Sequence, residues 1–334
     1  YHSGMPANLT PQYHKAEEAY RRATSPDEEL SALQVMLREV PKHKGTDKLQ
    51  AELKQKISRV KEDVQSGGKA SGKRTGYRLP SQGAGRVLLV GPPNTGKSQL
   101  LKALTRAEPA VGDYPFTTVE PLPGMMLFED VQIQLVDTPP ITSDVFDPVT
   151  QGLMRGADLV LAIADLASDD GPFEFQDFMA KLESTKTRLG RESKLDENDL
   201  GVSYTQSLVI FNKSDDPNAG ERGELYEEFC PMDLESHRVS ATTASGLEEL
   251  KPEIFRRLDV IRVYTKSPKS KEPDFDKPFT VKRGSTLLDV AELIHHDLAK
   301  NLKNARVWGS QVHDGTMVKG DYVVSDRDIV EIQQ

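Results

Sequence analysis

GPPNTGKS, residues 91–98, is the stretch that decides the reading of this chain. It fits the pattern G-x-x-x-x-G-K-[ST], and its flanks have the required character. Val87, Leu88, Leu89 and Val90 lead in as an apolar strand, and Gln99, Leu100, Leu101, Lys102, Ala103 and Leu104 lead out with helical spacing. A strand, a glycine turn and a helix in that order aim successive backbone N–H groups and the positive end of a helix dipole at one point. Phosphate oxygens need that arrangement. Gly91, Pro92, Pro93, Asn94, Thr95, Gly96, Lys97, Ser98 and Gln99 are therefore the candidate phosphate-binding residues. Lys97 supplies a point charge for the terminal phosphates, and Ser98 a hydroxyl ligand for Mg²⁺, a hard cation that takes oxygen ligands.

Four further segments follow in order. Asp137 opens DTPP at 137–140 and ends the apolar strand 131–136, where a carboxylate can hold Mg²⁺ through a water. Thr118 is the expected second hydroxyl ligand, with Thr117 as the alternative, and Thr118 joins Lys97 and Asn94 as a candidate catalytic residue. NKSD at 212–215 follows the strand 207–211 and supplies Asn212, Lys213 and Asp215 to the base. A carboxylate at Asp215 accepts from the ring N–H and exocyclic amine of guanine, whereas adenine presents an acceptor there and is repelled. Hydrogen bonds to charged groups contribute roughly 1.5–3 kcal/mol, or about ten- to a hundred-fold in discrimination. Ser240 and Ala241, after His237-Arg238-Val239, are expected to present a backbone N–H to the guanine oxygen. A lone Asn-Lys-x-Asp arises by chance; five segments in this order at strand ends do not.

Composition agrees with a large α/β protein. The 334 residues favour two or three domains, and the formal charge of -9 argues against a broad polycationic coat for nucleic acid. No run approaches the roughly 18 apolar residues of a membrane span, and no secretory signal opens the chain. The single cysteine, Cys230, has no partner for an intramolecular disulfide and reads as structural. These features predict a cytoplasmic protein with no membrane partner.

Residues 5–66 read as a charged helical arm. Ser25-Pro26-Asp27-Glu28 is a capping-box start, and Leu30, Leu33, Met36 and Leu37 then share one face as far as about Val40. After the break 41–45, Thr46 can cap a second helix with the stripe Leu49, Leu53, Ile57 and Val60. The hairpin so formed is either a docking arm for a partner or a unit packed on its own neighbouring domain. Residues 67–82 form a basic tether, suited to solvent or to RNA phosphates.

The nucleotide domain is expected at 83–259, a mostly parallel sheet with helices on both faces, with 169–206 a charged helix and loop. In 260–334, strands at 261–264 and 278–281, a helix at 287–298, and strands at 305–308, 322–324 and 329–332 suggest a small β-grasp module. His295 and His296 diverge by about 100° on a helix and so do not share a metal ion easily.

The motifs GPPNTGKS, Tyr114-Pro115-Phe116-Thr117-Thr118 and NKSD resemble those of the Obg group of P-loop GTPases. Over nearly the whole chain the sequence is similar to the developmentally regulated GTP-binding protein family. REVPKHKGT at 38–46 resembles its arm, and RVYTK at 262–266, PDF at 273–275, IHHDLAKNLK at 294–303 and ARVWG at 305–309 resemble its C-terminal TGS module. The resemblance implies a GTPase with an N-terminal helical hairpin and a C-terminal β-grasp TGS domain. It also implies binding of GTP and GDP with Mg²⁺, and action on ribosomes or RNA, or with a protein partner, through the TGS domain and the arm. Asn94 resembles the potassium-site asparagine of K⁺-activated relatives, which implies K⁺ as a second cofactor.

Two departures stand out. Only 169–206 occupies the place of the family's inserted subdomain. Pro140 stands where the group has a glycine whose N–H meets the γ-phosphate, and proline has no N–H to give. Ile141 follows, where Ras-like enzymes hold a glutamine. Slow turnover, similar GDP and GTP affinities and a disordered or displaced segment over 139–148 are the expectations. The alternative function is a GTP-binding scaffold with little hydrolysis.

Overall fold

The computed structural model describes residues 9–23, 25–41, 44–65, 79–105, 120–196, 198–267, 270 and 272–333. The arm holds α1 (Pro11–Arg22), α2 (Pro26–Glu39) and α3 (Asp47–Gln65). The expected hairpin is α2 and α3, with Ser25 and Glu28 forming the capping box. The sequence reading missed α1, although Thr10 accepts from the N–H of Tyr13 and Pro11 opens the helix, both start signals.

The arm stripes are too narrow to bury themselves, so they share a core with the neighbouring domain. Tyr13, Leu33, Met36, Leu53 and Ile57 pack with Leu195 and Leu200. Glu17 and Glu52 accept the backbone N–H groups of Leu195 and Leu200, Arg21 donates to the hydroxyls of Ser203 and Thr205, and Arg22 pairs with Asp158 at 2.6 Å. Of the two expectations for the hairpin, packing on its own domain is what the structure has.

The central domain runs β1 (Arg86–Val90), α4 (Lys97–Thr105), β2 (Leu122–Phe128), β3 (Val131–Asp137), α5 (Pro148–Gly156), β4 (Leu159–Asp165), α6 (Gly171–Ser184), β5 (Thr187–Gly190), β6 (Lys194–Leu195), β7 (Ser203–Asn212), α7 (Ala219–Phe229), β8 (Ser236–Arg238) and α8 (Leu247–Leu258). Its sheet has the order β2-β3-β1-β4-β7-β5, with β8 and β6 also paired to β7. β2 is antiparallel to β3, and β1, β3, β4 and β7 are parallel. β4 is buried at every position because helices cover both faces of the sheet. Leu100, Leu104, Leu250 and Ile254 of α4 and α8 pack on one face; Leu153, Phe175, Phe178 and Tyr226 of α5, α6 and α7 pack on the other. The stretch 169–206, expected as helix and loop, also supplies β5 and β6, because β7 extends beyond its neighbours and leaves backbone groups to be paired.

The C-terminal unit runs β9 (Val260–Thr265), β10 (Asp274–Lys282), α9 (Leu287–Ile294), α10 (His296–Asn301), β11 (Asn304–Gly309), β12 (Val312–Val318) and β13 (Asp328–Gln333). Its sheet has the order β10-β9-β13-β11-β12, and α9 sets Leu287, Val290 and Ala291 against Ile261, Val263, Val307 and Val330. This is a β-grasp arrangement. Two expectations change. The strand is at Val312–Val318, paired with β11, whereas 322–324 contributes only one bridge, Thr286 to Val323. The helix stops at Ile294, because His295 turns extended and its Nδ1 accepts from the N–H of Asp297 to cap α10. The His295-His296 pair therefore sits at a helix junction.

Candidate functional site

The phosphate loop lies between β1 and α4. Gly91 has φ 149 and Gly96 φ 88; a Cβ on Gly91 would stand 2.6 Å from the carbonyl oxygen of Ile163, and one on Gly96 2.4 Å from Nδ2 of Asn212. Both glycines are required by close approach as well as by dihedral angle. Thr95 Oγ1 donates to the carbonyl of Pro92 at 3.1 Å. Asn94 has φ 61, is exposed, and its side chain makes no hydrogen bond among the described residues. The alternative role of Asn94, bracing the loop with its side chain, is not what the structure has.

Lys97 opens α4 and is buried, its ammonium donating to the carbonyls of Gly91 at 3.1 Å and Pro92 at 2.6 Å. Burial lowers its pKa to about 8, against the opposing charge of Asp137. Ser98 Oγ donates to Oδ2 of Asp137 at 2.5 Å. Burial also raises the Asp137 carboxyl, opposed by the Ser98 bond and by Lys97. Among the described residues, Oδ1 of Asp137 is buried without a hydrogen-bond partner. A hydroxyl and a carboxylate in contact, with one carboxylate oxygen left unsatisfied beside the phosphate loop, fit a hard divalent cation such as Mg²⁺. Thr117 and Thr118 lie outside the described residues, as does 111–114.

The segment after Asp137 departs from expectation. Thr138 donates through its N–H and its hydroxyl to the carbonyl of Leu89, and the N–H of Ile141 donates to the carbonyl of Gly91 at 3.1 Å. Ile141 is 1% exposed, among Val90, Val136 and Ala164. The start of the segment expected to be disordered or displaced is held in place, by these bonds and by an apolar side chain in the core.

On the base side, Asn212 ends β7. Its Nδ2 donates to the carbonyl of Thr95 at 2.9 Å and its Oδ1 accepts the N–H of Ala241 at 3.1 Å. Ser240 gives its own N–H to the carbonyl of Ser245. The expected donors to a guanine oxygen, Ser240 and Ala241, thus both have partners, and the N–H of Thr242 is the next donor along the loop without one among the described residues. Asp215 is exposed and free of hydrogen bonds among the described residues, on a turn pinned by the bond from the Ser214 N–H to the carbonyl of Val239. Lys213 reaches back to the carbonyl of Asn94 at 2.8 Å and to Asp165 at 2.6 Å. Gln99 Nε2 donates to Oγ1 of Thr242 at 3.0 Å. Sequence reasoning named neither Asp165 nor Thr242; the signal for Asp165 was a carboxylate closing an apolar strand.

Cys230 is buried and its thiol donates to the carbonyl of Pro172, as a structural residue does. No helix among the described residues is long and apolar enough to cross a membrane.

Residues 86–198 match the family described as 50S ribosome-binding GTPase, and residues 261–333 match the TGS domain. An uncharacterized GTP-binding protein of Methanocaldococcus jannaschii is 30% identical over 367 residues, covering 92% of this chain and 92% of that protein. Developmentally-regulated G-protein 2 of Arabidopsis thaliana is 25% identical over 368 residues, covering 91% of this chain and 90% of the relative. Among solved structures, the YchF GTPase of Schizosaccharomyces pombe shares the fold, with a TM-score of 0.50, 15% identity, and coverage of 77% of this chain and 99% of that one. With a phosphate loop, a base loop and a C-terminal TGS sheet in one chain, and relatives matched over nine-tenths of their length, the chain belongs to the developmentally regulated GTP-binding proteins of the Obg group.

Proposed function

We propose that this protein binds GTP and GDP with Mg²⁺, hydrolyses GTP slowly to GDP and phosphate, and works with ribosomes in the cytoplasm. The observation that carries the reading is the pairing of Ser98 with Asp137 beside Lys97, with one Asp137 oxygen unsatisfied. Ser98, Asp137 and Thr118 would hold Mg²⁺, which when bound supplies positive charge against the phosphate oxygens.

Catalysis would rest on position and charge. The loop 91–98 and Gln99 bind the phosphates through backbone N–H groups and the α4 N-terminus, and Lys97 exchanges the carbonyls of Gly91 and Pro92 for phosphate oxygens. Asn94, with its side chain free of hydrogen bonds among the described residues, is the residue proposed to admit K⁺. Asp215 selects guanine, Asn212 and Lys213 hold the two loops together, and Ser240 and Ala241 shape the wall on which the Thr242 N–H faces the base.

Proposed boundaries are 5–66 for the arm, 67–82 for the linker, 83–259 for the GTPase domain and 260–334 for the TGS domain. Contact with ribosome, RNA or a protein partner is assigned to the TGS domain and the arm, in keeping with the ribosome-binding family to which 86–198 belongs.

The second reading, a GTP-binding scaffold with little turnover, is favoured by the 137–141 segment, where Pro140 lacks an N–H and the N–H of Ile141 is given to Gly91. Phosphate release by purified protein, with and without ribosomes, separates the two. Release stimulated by ribosomes and lost in Lys97→Met supports the GTPase; binding without release supports the scaffold. Asp215→Asn should weaken GTP binding at least ~ten-fold and improve relative binding of xanthosine nucleotide. Equal wild-type affinity for ATP and GTP would remove the guanine assignment.

A further inference from the structure

β4 is buried from end to end and closes on a carboxylate, Asp165, that belongs to no nucleotide motif. Asp165 is 4% exposed, so its charge must be answered within the protein. Its Oδ1 accepts the N–H of Ala167 at 2.7 Å and its Oδ2 accepts from the ammonium of Lys213 at 2.6 Å. That ammonium also donates to the carbonyl of Asn94, 2.8 Å away in the phosphate loop. Lys213, at φ 63°, is in a left-handed conformation that a lysine keeps only where its surroundings hold it, and Asn94, at φ 61°, is in the same region, which asparagine adopts more readily. The bond from Asn212 to Thr95 between the same loops, and that from Gln99 to Thr242 of the 240–243 loop, are neutral hydrogen bonds.

Asp165 is itself fixed from behind. The hydroxyl of Tyr226, in α7, accepts the Asp165 N–H at 3.1 Å and donates to the Asp165 carbonyl at 3.0 Å. The Tyr226 ring packs against Phe175 and Phe211. A Cβ on Gly171 would come within 2.6 Å of both the Asp165 carbonyl oxygen and the Tyr226 hydroxyl, so α6 closes over the pair. The carboxyl of nearby Glu174 is raised, by burial first and then by the charges of Asp165 and Asp170.

We propose that Asp165 is a positioning residue for guanine-nucleotide binding, whose carboxylate holds the Lys213 ammonium on the Asn94 carbonyl and so joins the base loop to the phosphate loop. The proposal rests on the nucleotide reading above. Without the carboxylate, the partly exposed ammonium gains more by turning to water than by serving one carbonyl, and both left-handed residues lose their restraint. The consequence falls on the lifetime of the bound nucleotide, which spans both loops.

Dissociation of a fluorescent GDP is to be measured for the wild type, Asp165→Asn, Lys213→Met and the double variant. Asp165→Asn preserves shape and should speed dissociation by about ten-fold, the scale of one charge-assisted bond. In the Lys213→Met background it should add less than about two-fold, since the carboxylate acts only through the ammonium. Should Asp165→Asn fail to fold, Tyr226→Phe, which keeps the ring and removes the hydroxyl, carries the test and should speed dissociation several-fold. An unchanged rate in the folded variant, or the full effect of Asp165→Asn in the absence of the Lys213 ammonium, overturns the proposal while leaving the nucleotide reading intact. Failure of the wild type to bind the nucleotide overturns both.

Discussion

Arg262, in the first strand of the C-terminal sheet, donates to the carboxylate of Asp130, 3.2 Å away at the turn between β2 and β3. The same guanidinium reaches Glu129 and Asp326, and the hydroxyl of Tyr264 donates to Asp130. These bonds, with Asp326 foremost, raise the already high pKa of Arg262. The hairpin they grip continues through β3 to Asp137. The C-terminal domain is therefore fastened to the element that carries the proposed metal carboxylate.

Arg262→Met should detach this fastening. It leaves Glu129, Asp130 and Asp326 close together without their shared cation, a loss of about 2 kcal/mol once the partial exposure of the carboxylates is allowed for. Limited proteolysis should cut more rapidly near residue 260, and the denaturant midpoint should fall. A midpoint equal to that of the wild type would mean that the domains are held by other contacts.

The lowered pKa of Lys97 gives nucleotide binding a pH dependence. Folded Lys97 loses its proton at about pH 8, below the 10.5 of an unperturbed lysine. Between those values the unfolded chain binds more protons than the folded one, so the cost of burying the ammonium is full below pH 8 and is relieved as pH rises through that window. Phosphate binding stabilises the ammonium and reverses the balance. Affinity for GDP should hold constant from pH 7 to near 8 and fall about ten-fold by pH 9, whereas Lys97→Met should bind weakly with no such step.

Pro140→Gly should sharpen the nucleotide switch. The wild type has no N–H at 140, and the N–H at Ile141 is given to Gly91, so GTP and GDP affinities should be similar. Restoring one charge-assisted bond should favour the GTP analogue by about ten-fold. Titration of both nucleotides against both proteins measures this, and a wild type already far tighter for the GTP analogue would assign the γ-phosphate contact to another group.

Potassium should raise phosphate release several-fold over sodium, with Asn94→Ala abolishing the difference. The exposed Asn94 side chain, without a hydrogen bond among the described residues, motivates this, since a monovalent cation there adds charge as an arginine finger does elsewhere. Equal rates in the two salts would leave Asn94 no role in cation binding.

The elements legible in the sequence were those whose cause is local. The apolar runs of β1, β3, β4 and β7, the glycines of the phosphate loop and the capping box at Ser25 are spelled out over a few residues. β2, β5 and β6 were not, because strands at a sheet's margin lack the continuous apolar run of the central ones and form where a neighbour offers unpaired backbone. β12 was displaced in the reading for the same reason, and α9 was drawn too long because His295 caps a helix that periodicity alone would continue through it.

The sequence by itself determined the chemistry offered to a nucleotide: Lys97 and Ser98 open the helix after β1, Asp137 ends β3 and Asp215 follows β7, since strand, turn and helix follow from local pattern. Tertiary structure alone decided how those groups are held. The bridge from Asp165 through Lys213 to the Asn94 carbonyl joins residues 94, 165 and 213, the anchoring of Ile141 depends on a core assembled from four strands, and the grip of Arg262 on Asp130 crosses between domains. Such contacts involve residues far apart in sequence, and burial makes them specific: in low dielectric a charge must find its partner, and no local pattern records which partner folding will bring to it.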